Sequence, residues 1–207
     1  MLKKIFRLFK FVWLHPLSKN NRLASLWRVI SFQIASIIIK APIILPFVNG
    51  THLITSRGRV GATGDWYCGL REYEDMGFML HVLKPDDLFV DVGANIGSYS
   101  ILAGTCKGVN VLAFEPIPST FSDLQKNIKL NSLDKQIKAM NIGLADQNST
   151  ISFSSNLDVT NHVILKNNKN YPSIEVDVFT MDNVLNEKFP TVIKIDVEGY
   201  ELQVING

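Results

Sequence analysis

Three carboxylates stand where apolar runs stop and turns begin. Leu88-Phe-Val-Asp91-Val leads into a turn through Gly93, Asn95 and Gly97; Gly108 to Phe114 leads into Glu115-Pro116; Val192 to Asp196 leads into Val197-Glu198-Gly199. Glycine lets main chain approach a ligand closely, and asparagine is one of the few other residues that tolerates left-handed dihedrals. The turn is therefore expected to expose N–H groups, with Asp91 adding a carboxylate beside them. Glu115 follows Gly97 by eighteen positions, a spacing that belongs to an acid accepting two hydrogen bonds from the vicinal diol of a ribose. Its plainer reading is a solvated charge at a strand end. Asp196 and Glu198 offer further carboxylates, which can orient a reacting hydroxyl or take its proton. An acid that opens a helix also stabilises the helix dipole, and that structural reading of Glu198 stays open.

These groups can meet only if the runs lie side by side. Leu88 to Val92 has the length and branching of a buried parallel strand, and Ser98 to Ala103 has helical composition. Such strand-turn-helix units place ligands at the carboxyl edge of a parallel sheet. Asp91, Glu115 and Asp196 should converge there. Pro116 supports a strand tip, since proline cannot continue a central ladder. Phe121 to Asn131 reads as a crossover helix and about Ile137 to Leu144 as a third strand, ending in Ala145-Asp146-Gln147-Asn148. Ile151 to Phe153 and Ile174 to Phe179 alternate as an inserted pair of strands. Upstream, Phe47 to Arg59 reads as a hairpin turning at Asn49-Gly50, and Glu72 to Leu83 as a helix.

A nicotinamide or flavin dinucleotide site would need glycines at the first, third and sixth places of the turn, here Gly93, Asn95 and Ser98. Two of the three differ. DVGANIGSYS followed by AFEP and KIDVEGYE resembles instead the FkbM family of S-adenosylmethionine-dependent methyltransferases, from about Trp66 to Gly207. The resemblance implies an α/β fold with a Rossmann-like class I methyltransferase sheet and helices on both faces. It implies S-adenosylmethionine as cofactor, held by Asp91, Gly93, Asn95, Gly97, Glu115 and Asp146. Asp146 would accept from the adenine amino group, or else cap a turn. It implies O-methylation of a hydroxyl on a sugar, glycan or secondary metabolite, with Asp196, Glu198 and His162 as catalytic candidates. His162 is otherwise a satisfied loop histidine. The family would complete a helix and add strands beyond Gly207, eleven residues after Asp196, so the sheet is expected to be truncated after its fourth core strand. A donor-binding but catalytically incomplete fragment or interaction module is the alternative, followed by a dinucleotide oxidoreductase.

Composition suits one globular catalytic domain, residues 65–207, behind an extension, residues 1–64: 207 residues, 46% hydrophobic and 19% charged. Cys68 and Cys106 give neither a disulfide framework nor metal spacing, so a reducing, cytoplasmic setting and no metal site are expected. The net charge of +2 hides an asymmetry, because residues 1–64 hold ten Lys/Arg and no Asp/Glu. Leu2, Ile5, Phe6, Phe9, Val12 and Trp13 make one helical stripe, with Lys3, Lys4, Arg7 and Lys10 on the other side. Such a helix can lie on an anionic membrane, giving residues 1–13 a peripheral contact with the inner membrane surface, or can dock on the protein's own core. Val29 to Ile39 is too short an apolar run to span a bilayer, and a buried helix or an interfacial segment is expected there instead. Without aromatic and basic residues interleaved in the folded part, no nucleic-acid partner is expected. Oligomeric state is not legible.

Overall fold

The computed structural model describes residues 2–55, 61–154 and 173–207, in two compact units, Met1–His81 and Val82–Gly207. The first unit opens with α1 (Leu2–Leu14) and α2 (Arg22–Ile38). Between them His15 caps a short 3-10 turn, its Nδ1 accepting from Leu17 N at 3.3 Å. β1 (Ile43–Pro46) and β2 (His52–Thr55) form the expected antiparallel hairpin. Its turn needs positive φ at Asn49 (55°) and Gly50 (75°), which asparagine and glycine tolerate.

Helices α3 (Gly61–Cys68) and α4 (Tyr73–Val82) follow. The sequence gives no apolar period over α3, whose first turn is Gly-Ala-Thr-Gly. Burial makes up for weak propensity: Tyr67 and Cys68 join Val12, Val29, Phe32 and Leu45 in this unit's core. The apolar stripe of α1 divides. Val12 is buried and Phe9 packs beside it, while Phe6 and Trp13 stay exposed.

The second unit is wound around a parallel sheet. Its elements are β3 (Leu88–Val92), α5 (Ser98–Gly104), β4 (Asn110–Phe114), α6 (Pro118–Leu130) and β5 (Ile137–Met140). Then come β6 (Gly143–Leu144), β7 (Ser149–Ser154), β8 (Ser173–Phe179), α7 (Met181–Leu185), β9 (Val192–Ile195) and α8 (Glu201–Ile205). Four strands lie in the order β5-β4-β3-β9, all parallel. Register puts Val92, Phe114, Met140 and Ile195 in one row. Gly93, Glu115 and Asp196 each come next along their strands, so the three loops open from one edge.

Both faces of the sheet are covered. Val90, Val92, Leu112 and Phe114 pack with Met181, Leu185 and Val204 of α7 and α8. Residues of the opposite parity face α5, whose Ser100 reaches Asp91, and Gly104 of α5 lies against Ile137. This is the α/β, Rossmann-like arrangement expected from the sequence.

The third strand is shorter than its apolar run suggests. It leaves the sheet after Met140, where Asn141 Nδ2 donates to the carbonyls of Glu115 (2.8 Å) and Pro116 (2.9 Å). Gly143 and Leu144 then pair with β8, which pairs with β7 as the expected antiparallel insertion. Gly143 fits because a Cβ there would come within 2.9 Å of Val178.

Leu124 of α6 is fully buried under Gly97, its Cδ1 2.5 Å from where a Cβ on Gly97 would stand. Leu124→Ala should lower unfolding stability by about 2–5 kcal/mol through lost burial and the cavity left behind. Guanidinium denaturation measures it, and a change below about 1 kcal/mol would mean that this contact does not brace the loop.

Candidate functional site

The loop after β3 is tied down almost completely by its own amides. Gly93 N and Ala94 N both donate to the Phe114 carbonyl, at 3.0 and 2.9 Å, and Gly97 N donates to the Ala94 carbonyl at 2.9 Å. Asn95 N donates to Glu115 Oε2 at 2.9 Å, and Ile96 N to Asn95 Oδ1 at 2.7 Å. The expected row of exposed N–H groups is therefore corrected. A tight turn joining two strand ends satisfies its donors internally, because a buried orphan N–H is costly. What the loop offers a ligand is backbone without a side chain at Gly93 and Gly97. Gly93, Asn95 and Gly97 have φ of 74°, 52° and 97°. A Cβ on Gly93 would also strike the Asp196 carbonyl, so the absent side chain lets the loops after β3 and β9 meet. From α6, Asn127 Nδ2 donates to the Ile96 carbonyl at 2.8 Å and fixes the far side.

Asp91 lies beneath this loop, wholly buried. Its Oδ2 accepts from Ser100 Oγ at 2.6 Å. Oδ1 has no hydrogen-bond partner among the described residues, and faces the Lys194 ammonium at 3.5 Å, an ion pair without hydrogen-bond alignment. A buried acceptor in that state suits an ammonium group or an ordered water. Lys194 Nζ also lies 3.4 Å from Asp196 Oδ2, donates to the Gly93 carbonyl at 3.3 Å, and stands 5.2 Å from the centre of the Tyr99 ring. One cation thus links β3, its loop, α5 and the end of β9.

Glu115 is buried at the tip of β4. Oε2 accepts from Asn95 N and Oε1 from Ile117 N at 3.0 Å. One acceptor position on each oxygen remains, as a vicinal diol requires. Burial pushes this carboxyl up from its ordinary 4.5 to about 7. The two backbone donors pull against that rise; the Asp91 charge adds to it and Lys194 opposes it.

Asp196 and Glu198 are both exposed at the same edge. Glu198 takes a left-handed φ of 49° ahead of Gly199 at 90°. Its structural reading as a helix-opening charge does not hold, because α8 begins at Glu201, whose carboxylate accepts from Gly199 N at 3.0 Å. Asp146 is exposed after β6, close enough to Tyr200 for its charge to add to the upward shift that burial gives the Tyr200 hydroxyl. His162 lies outside the described residues. Sequence reasoning passed over Lys194, Ser100 and Tyr200. Lys194 carried a signal: it stands two residues before Asp196, on the same strand face, in register with Asp91.

The Methyltransferase FkbM domain family matches residues 91–207. The hexuronic acid methyltransferase AglP of Haloferax volcanii is 30% identical over 139 residues, covering 66% of this chain and 56% of the relative. Methyltransferase 1 of Beauveria bassiana is 31% identical over 147 residues, covering 59% of each. The chain thus spans somewhat more than half the length of the curated relatives it matches. Among solved structures, methyltransferase FkbM from Methylobacillus flagellatus KT is similar at 20% identity and a TM-score of 0.42, over 70% of this chain and 39% of that one.

Two outcomes follow from the charges. Lys194→Met leaves the buried Asp91 carboxylate without its cation and should cost about 3–5 kcal/mol in a denaturation experiment. Asp196→Asn, at an exposed partner, should cost less than about 1 kcal/mol; equal losses would contradict the assignment of Asp91 as the dependent partner. For Glu115, the folded chain retains between about pH 4.5 and 7 a proton that the unfolded chain has released. Its contribution to stability is therefore whole below pH 4.5 and is lost as the pH rises through 7, about 3 kcal/mol in all. Unfolding free energies of the protein and of Glu115→Gln, measured across that range, should differ by an amount that changes with pH in this sense. A pH-independent difference would be incompatible with a raised carboxyl.

Proposed function

The chain belongs to the FkbM methyltransferase family, and we propose that it transfers a methyl group from S-adenosylmethionine to an oxygen of a sugar, glycan or secondary metabolite. Glu115 is the observation that carries the reading. It is a buried carboxylate at the second strand tip, beside a loop that carries glycine at 93 and 97, with an acceptor position left on each oxygen. Those are the needs of a ribose diol lying against backbone. The Haloferax relative's name gives that protein a hexuronic acid acceptor, whose hydroxyl and carboxylate groups both present oxygen nucleophiles.

When bound, S-adenosylmethionine supplies a methyl group on a positively charged sulfur, open to in-line displacement by oxygen. The residues here would do the rest. Gly93, Asn95 and Gly97 shape the surface for the donor, and Asp91 Oδ1 has the acceptor for its amino group. Glu115 accepts from the ribose, and Asp146, next to Tyr200, is placed to accept from the adenine amino group. Asp196 would orient the acceptor hydroxyl, and Glu198, open to solvent, would take its proton as the methyl leaves the sulfur for the oxygen. His162 is a further substrate ligand or base.

Calorimetric titration with S-adenosylhomocysteine should give micromolar binding, about −8 kcal/mol, and NAD should give none. Glu115→Ala should raise the dissociation constant about tenfold or more, by removing a charged hydrogen-bonding partner. Asp196→Ala should leave it unchanged and lower kcat for methylation of hexuronic acid glycosides. Binding of NAD alone by the folded protein would refute the proposal.

A further inference from the structure

Helix α2 is turned the wrong way round for a helix that serves only its own core. Its buried positions are Ser25, Val29, Phe32 and Ser36. Leu23, Trp27, Ile30, Ile34 and Ile37 recur at intervals of four and three residues, the repeat of one helical stripe, and all are exposed. At 3.6 residues per turn that stripe lies on roughly the opposite side from the buried set. The more apolar side is thus the one facing out. Leu23 is 78% exposed and Trp27 65%. α1 adds Phe6 and Leu14 to the exposed apolar side chains.

The charge around this face selects its partner. Residues 1–64 contain ten Lys/Arg and no Asp/Glu, and Lys3, Lys10, Lys19, Arg28 and Lys40 are all exposed. An apolar stripe within a segment whose charges are all cations matches a surface that is apolar below and anionic above, as the headgroup region of an acidic bilayer is. Spanning is a different matter. The 17 residues of α2 reach about 25 Å at 1.5 Å per residue, short of a hydrocarbon core of about 30 Å. Arg28 interrupts the helix halfway, and among the described residues no helix is long and apolar enough to cross a membrane.

We propose that α2, with α1 beside it, docks the protein on anionic phospholipid, the stripe Leu23, Trp27, Ile30, Ile34 and Ile37 entering the leaflet and the basic residues meeting phosphate. The surface extends well beyond residues 1–13, and the apolar part of the contact belongs mainly to the second helix. This placement is independent of the donor chemistry at Glu115.

Flotation of the full chain with vesicles tests it. The chain should float with vesicles of phosphatidylcholine mixed with phosphatidylglycerol, far less with phosphatidylcholine alone, and less at high salt. Ile30→Asp and Ile34→Asp should each lower the partition coefficient about tenfold. Lys3→Glu with Lys10→Glu should abolish the preference for phosphatidylglycerol. These positions are exposed, so each variant should keep the circular dichroism spectrum and melting transition of the parent, and Leu202→Asp, on α8, should float like the parent. The proposal fails if the folded chain ignores both vesicle types or binds both equally. It fails equally if the aspartate variants float unchanged, or if they abolish a concentration-dependent dimer instead, which would give the face to a second copy.

Discussion

A carboxylate wholly out of water at Asp91 sets the terms for the second unit. An ion in that position needs a counter-charge and hydrogen-bond donors, since desolvation alone costs several kcal/mol. Ser100 supplies the donor from α5 and Lys194 the charge from β9. Lys194 could not do so without the parallel register that brings it level with Asp91. Sheet order, the seat of α5 and the placing of Asp196 are thus tied to one buried group.

Closeness is the second constraint, and it follows from the first. With Lys194 drawn in toward Asp91, the loops after β3 and β9 come into contact at Gly93, where any Cβ would meet the Asp196 carbonyl. Because the loop bonds to itself, to Phe114 and to Glu115, it has little freedom to rearrange around a ligand. A site of this kind is preorganised, holding its shape before anything binds. Glu198 and Asp196, exposed beyond this frame, are the less constrained part of the same edge.

Much of this was legible because it rests on local pattern. Apolar runs ending in Asp91, Glu115 and Asp196 announce strands, and a parallel sheet aligns their ends. The Asn49-Gly50 turn and the β7–β8 pair follow from turn chemistry and alternation. What escaped depends on partners distant in sequence. Nothing near Asn141 says that its amide will bond the Glu115 and Pro116 carbonyls and end β5 early. The glycines of α3 hide a helix that its buried residues, Tyr67 and Cys68 among them, explain. The inward turn of the loop amides needed the position of Phe114, and the outward stripe of α2 needed the knowledge of which side meets the core. Periodicity alone marks an apolar side without saying what will cover it.

The electrostatics of the site bear on the proposed chemistry in one further way. Among the described residues, Lys194 pairs with Asp91 and Asp196 and its charge lowers Glu115, while the Asp91 charge helps to raise Glu115. Among those residues, three carboxyls share one ammonium when all are ionised. Near neutrality Glu115 relieves part of the repulsion by holding a proton, which also removes an acceptor that a ribose diol would use. A cation at the loop would relieve the same repulsion without that loss, so ionised Glu115 and a cationic ligand favour one another. On the proposed reading, a positively charged donor would therefore favour the ionised form of Glu115, the form with both oxygens free to accept.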